Sequence, residues 1–157
     1  MTLNMSPTEQ SREQDLDSLF KAAAGLHGHF GPFLTLGVRM GLAGLRELGV
    51  KPGDTRLHVK ATLEYALPFS CMLDGIQTAT KCTVGNQRLS WKESGELGAM
   101  FLLENTGRQI EVKVKKIVIQ ELSRKLEKKK PMSEAVRQLA TDVASRSEKE
   151  LFSVIHK

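Results

Sequence analysis

The sequence predicts an α+β domain in which a mixed or antiparallel sheet packs against helices. Three observations predict it. Helical periodicity fills the first third of the chain, short alternating strands gather in the middle, and amphipathic helices return near the end, without the regular alternation of a parallel α/β fold. The 157 residues suit one domain large enough to bury a core. Hydrophobic residues make up 40% and charged residues 26%, the balance of a folded chain rather than a disordered one.

Residues 1–13 are polar and read as a flexible N-terminal segment, which leaves 14–157 as the folded domain. Leu16, Leu19, Phe20, Ala23 and Leu26 then fall at helical spacing. That helix runs into Gly25-Leu-His-Gly-His-Phe-Gly-Pro32, whose glycines and proline break it. Pro32 opens a second helix at its first position, where the missing N–H costs nothing. Residues Phe33 to Leu48 are apolar almost all round and carry Gly37, Gly41 and Gly44, the pattern of a buried helix approached closely by another backbone. Gly49 ends it. Thr55 to Leu63 alternates as a strand. A loop at Glu64–Ser70 leads to a short helix from Cys71 to about Lys81, and Thr83-Val-Gly-Asn86 reads as a turn. Strands are expected at Gln87–Trp91, Gly98–Leu103 and Ile110–Val118, the last two joined by the Asn105-Thr-Gly-Arg turn. Helices at Gln120–Lys129 and Met132–Arg146, parted by Pro131, and a short apolar run at Leu151–Ile155 complete the chain.

Composition excludes several classes. Aromatics are only 5%, too few for a surface built to stack nucleic-acid bases. The net charge of +5 is concentrated between Lys113 and Lys130, which reads as the solvated face of a strand and helix, so a nucleic-acid partner is not expected. Cys71 and Cys82 are the only cysteines, so this is no disulfide scaffold. The N-terminus lacks a signal pattern, and the most apolar run, Pro32–Leu45, is interrupted by Arg39 and too short to span a bilayer. A cytoplasmic protein with reduced thiols and no membrane contact is the expectation.

Two segments carry candidate chemistry. In His27-Gly28-His29-Phe30-Gly31-Pro32, two histidines on glycine-rich backbone can turn both rings toward one point, as a metal or an acid–base pair requires. The loop also opens a helix, whose free N–H groups favour an anion. Hydrogen bonding of each histidine within a turn is the competing explanation. His58 and His156 read as exposed. In the second segment, a helical wheel with Cys71 at zero places Asp74 near about −60°, Thr78 near about −20° and Gly75 near about +40°. Met72, Leu73, Ile76 and Ala79 share the opposite, core-bound face. A thiol, a carboxylate, a hydroxyl and a glycine thus share one side, with Ser70 placed to cap the helix and the helix N-terminus placed to lower the thiol pKa of Cys71. Cys82 shares that face, but its rise of about 16 Å separates it from Cys71, which makes it a second-tier candidate. Burial as a small hydrophobe is the alternative for both thiols.

The stretch His27-Gly-His-Phe-Gly-Pro-Phe-Leu-Thr-Leu-Gly37, with Val38-Arg-Met-Gly41, resembles the opening motif of the family of formylmethanofuran dehydrogenase E-type subunits. Ser70-Cys71-Met-Leu-Asp74-Gly75-Ile76-Gln77 with Thr80-Lys-Cys82-Thr83-Val-Gly85-Asn86 resembles its second motif, and the likeness runs from about residue 16 to 155. The resemblance implies an α+β core domain without the C-terminal zinc finger of some members, a homodimer, and a pocket made by the histidine loop and the cysteine helix. It also implies a setting in one-carbon metabolism and an oxidoreductase as partner complex. Two departures stand out: Gly31 replaces a cysteine of many relatives, and the Lys-Gly pair usual near Gly85-Asn86 is missing. Two cysteines fall short of the four that an iron–sulfur cluster requires.

The leading expectation is a divalent transition metal, zinc first and nickel or iron next, held by His27 or His29, Cys71 and Asp74 with an open position for water or substrate. The alternatives are a metal-free enzyme, with Cys71 as catalytic nucleophile and His27 or His29 as its base, and a non-catalytic accessory protein.

Overall fold

The computed structural model describes residues 5–157, and residues 1–4 of the expected flexible segment lie outside it. The first helix, α1 (Pro7–His27), begins well before residue 14. The reason is a capping box: Ser6 accepts the Glu9 N–H while the Glu9 carboxylate accepts the Ser6 N–H at 2.8 Å, and Pro7 occupies the first helical position. A Ser-x-x-Glu signal thus lies within the polar segment.

The remaining elements are α2 (Pro32–Leu48), β1 (Leu57–Leu63), α3 (Cys71–Thr80), β2 (Leu89–Glu93), β3 (Gly98–Leu103), β4 (Arg108–Val114), α4 (Lys116–Leu126), α5 (Glu134–Ser145), α6 (Glu148–Leu151) and β5 (Phe152–His156). The five strands form one sheet in the order β2-β1-β3-β4-β5. Only the β1–β2 pair is parallel, so the sheet is mixed and the fold is α+β, as expected. Leu57, Val59, Ala61 and Leu63 of β1, Ala99, Phe101 and Leu103 of β3, and Ile110, Val112 and Val114 of β4 are buried on one face. The register pairs Leu57 with Leu103, Val59 with Phe101 and Phe101 with Ile110, which keeps that face continuous.

Several boundaries differ from expectation. The strand expected at Ile110–Val118 stops at Val114, because Val118 and Leu122 are the buried face of α4. A β-branched run carries the helical stripe and resembles a longer strand. The segment around 87 enters its strand later, at Leu89, since Gln87 takes a positive φ of 62°. The closing apolar run becomes β5, paired antiparallel with β4.

Helix α2 lies at the centre. It rests on the sheet through Gly44, where a Cβ would come within 2.3 Å of the Phe101 ring. Its other side meets α3 so closely that a Cβ at Gly37 would stand 2.1 Å from the Met72 carbonyl oxygen, and one at Gly75 would stand 2.2 Å from the Leu34 carbonyl oxygen. Gly75, placed with the polar side of the wheel, is in fact a packing residue. Arg39, which only interrupts the apolar run in the sequence, donates to the carbonyls of Val143, Ala144 and Arg146 and so ties the end of α5 to α2.

Candidate functional site

The close packing of α1, α2 and α3 brings together residues distant in sequence. His27 is the last residue of α1, and Gly28 turns the chain there with a φ of 98° while its N–H caps the Ala24 carbonyl. Asp74 projects from the first turn of α3. The two meet at 2.7 Å between His27 Nδ1 and Asp74 Oδ2. A carboxylate only accepts hydrogen bonds, so Nδ1 carries the hydrogen and donates it. The opposite nitrogen, Nε2, is buried and has no hydrogen-bond partner. The His27 side chain is 12% exposed against 42% for that of Asp74, so the carboxylate is far more open to water than the ring, whose Nε2 is buried.

The His29 ring lies beside that of His27, with centroids 4.7 Å apart and planes tilted by 41°. It leans against Gly31, where a Cβ would be only 3.3 Å from His29 Nε2. Burial, and then the neighbouring His27, push the His29 pKa below its ordinary value. His29 and Cys71 both line a cavity of about 260 Å³ bounded by the start of α2, the loop before α3 and the connection between α4 and α5. The structure therefore brings His27 to His29 and to Asp74, and His29 to the cavity of Cys71.

Cys71 departs from expectation in its chemistry. Burial, and then the charge of Asp74, raise its thiol pKa above the usual value. The start of α3 offers a thiolate little: the N–H groups of Cys71, Met72 and Leu73 bond the carbonyls of Pro68, Phe69 and Ser70, and the Cys71 backbone lowers the thiol pKa less than burial and Asp74 raise it. Ser70 does not cap the helix, because its backbone is already helical at φ −63° and ψ −19°. Thr78 is turned inward on its own helix, donating to the Asp74 carbonyl at 2.8 Å. Cys82 lies past the end of α3, 1% exposed, with its thiol donating to the Leu57 carbonyl of β1. Both cysteines are free. His58 and His156 sit apart, beside Glu104 and Glu47. The cavity walls Leu67, Pro68, Leu126, Lys129, Pro131 and Val136 are not legible in the sequence, because no local pattern joins the loop before α3 to the α4–α5 connection.

A family model described as "FmdE, Molybdenum formylmethanofuran dehydrogenase operon" matches residues 26–153, which include both the histidine loop and α3. The chain belongs to the FmdE family. A protein of Archaeoglobus fulgidus, described as "Probable S-adenosyl-L-methionine-binding protein", is 34% identical over 88 residues. That match covers 56% of this chain and 24% of the relative, so this FmdE-family chain corresponds to a minor part of that protein.

Among the described residues, no three His, Cys, Asp or Glu side chains form a ready group for a metal ion. The donor that fits best is His27. A ligating histidine commonly donates its other ring N–H to a carboxylate, which fixes the tautomer and raises the basicity of the free nitrogen. His27 and Asp74 have that arrangement, in which Asp74 would orient a metal-bound His27.

Proposed function

We propose that this FmdE-family chain binds a divalent transition metal, zinc before nickel or iron, in association with a formylmethanofuran dehydrogenase-type oxidoreductase. His27 Nε2 is the anchoring ligand in this reading, and Cys71 and His29 are the adjoining donors. One observation supports it above the others: His27 is paired at Nδ1 and buried without a partner at Nε2. Leaving a buried polar atom unpaired costs about 1–3 kcal/mol, so such an atom calls for a functional explanation.

The side chains divide the work. Asp74 holds the His27 ring in one tautomer and aims Nε2 inward. The thiol of Cys71 must release its proton before the sulfur can act as a ligand. His29, kept neutral by burial, offers a lone pair beside His27. Bound there, the metal would supply Lewis acidity at a position left open to water or substrate. A second copy of the chain is the proposed immediate partner. Tyr65 and Trp91, stacked at 5.2 Å beside the edge strand β2, leave apolar surface suited to such a contact.

The test is elemental analysis of the purified protein by plasma mass spectrometry, after reconstitution and removal of excess metal. About one ion per chain is expected in the native protein and far less in His27→Ala and Cys71→Ala. Full occupancy in both variants, or none in the native protein with any of the three metals, rejects the reading.

A further inference from the structure

The cavity that opens on His29 and Cys71 has a composition that selects its ligand. Its polar lining is sparse. Phe33, Leu67, Leu126 and Val136 supply apolar wall, and no carboxylate borders it. Lys129, at its rim on the α4–α5 connection, is the one permanently charged residue in the lining. Among the described residues Lys129 has no ion-pair partner, whereas Lys125 on the same segment pairs with Glu121. At about 260 Å³ the space falls just below the roughly 300 Å³ at which pockets begin to bury drug-sized ligands, so it suits a short chain rather than a whole nucleoside.

We infer that this cavity binds a small organic monoanion with an apolar tail, its head group paired with Lys129 and its tail against Leu126 and Val136. A short-chain carboxylate is the simplest member of that class. An exposed ammonium without a partner beside an apolar cavity attracts one negative charge, and the pairing, modest in itself at a solvated position, sets which end of the ligand faces water. The walls reward an alkyl chain by removing it from water. The inference names the ligand class of the proposed metal site, because His29 and Cys71 border both, but it requires no metal.

The test is calorimetric titration of metal-stripped protein with hexanoate and with hexanamide, which keeps the tail and lacks the charge. Lys129→Gln is the decisive variant, and Lys128→Gln controls for the general charge of this segment, since Lys128 lies outside the lining. Both positions are exposed, so neither substitution disturbs the core. Hexanoate is expected to bind at least about tenfold more tightly than hexanamide, and Lys129→Gln to erase that preference while Lys128→Gln retains it. Equal binding of the two probes, equal loss in both variants, or no binding of hexanoate at millimolar concentration overturns the inference. Metal stoichiometry in Lys129→Gln is measured in parallel and is expected to stay at the native value. Failure of the ligand class is thereby separated from failure of the metal reading.

Discussion

His27 has a carboxylate on one side of its ring and no partner on the other, and that asymmetry assigns distinct roles to residues that look alike in the sequence. If Asp74 orients His27, Asp74→Asn should retain metal stoichiometry at saturation while weakening affinity about 10–100-fold, the usual cost of losing such a partner. Loss of stoichiometry even at saturating metal would instead make Asp74 a ligand. A chelator-competition titration distinguishes the two. Cys71 permits a second prediction at this scale. Its thiol is raised above the ordinary cysteine range by burial and then by Asp74, so only a few per cent at most, roughly, is thiolate at pH 7. Alkylation of metal-free protein by iodoacetamide should be slow at neutral pH and accelerate as the pH climbs beyond the ordinary cysteine pKa of about 8.5. Asp74→Asn should accelerate it throughout the range where the thiol is still mostly protonated, because one cause of the upward shift is gone. Rapid modification of Cys71 at neutral pH would favour the metal-free nucleophile over the metal ligand.

The elements are where sequence legibility divides. Helix α2 is readable because its signals are local: Pro32 at the first position, Gly49 in the left-handed conformation at the end, and apolar residues between. The start of α1 is readable too, through Ser6 and Glu9, but the polar composition obscures it. The pairing of His27 with Asp74 is not readable, since 47 positions separate them and only the packing of the helices joins them. The wheel assembles Cys71, Asp74 and Gly75 on one side of α3, yet cannot show that Gly75 faces α2 rather than a ligand. That contact is testable. Gly75→Ala would force its Cβ to 2.2 Å from the Leu34 carbonyl oxygen, so the helices must separate. Overpacking of this kind costs about 1–3 kcal/mol or more. The thermal midpoint should fall by several degrees, and zinc affinity should fall with it because α3 carries Asp74 and Cys71 away from His27. Gly95→Ala, where nothing lies within 4 Å, is the control and should leave both unchanged.

At the scale of the whole molecule the question is what the excess positive charge does. The basic residues between Lys113 and Lys130 are close in sequence but divided between elements. Lys113 is neutralised by Glu96 and Glu111, at 3.1 and 3.2 Å. Lys115 donates to the Lys149 carbonyl, and Lys125 pairs with Glu121 at 2.9 Å. Strand β4 and helix α4 share these residues between them, so no single face collects them into a track for a phosphate backbone. Of the remaining lysines at 128–130, only Lys129 lines the cavity, a geometry for one small anion rather than a polymer. A protein that neutralises six to ten phosphates loses roughly 10³–10⁵ in affinity between 50 and 200 mM salt. This chain should therefore show no binding to a double-stranded or single-stranded 20-mer at micromolar concentration and about 50 mM salt, measured by fluorescence anisotropy. Tight binding at low salt that collapses by about 200 mM would mean that the lysines act together across elements. Lys129 would then have to be reassigned from a small ligand to a nucleic acid.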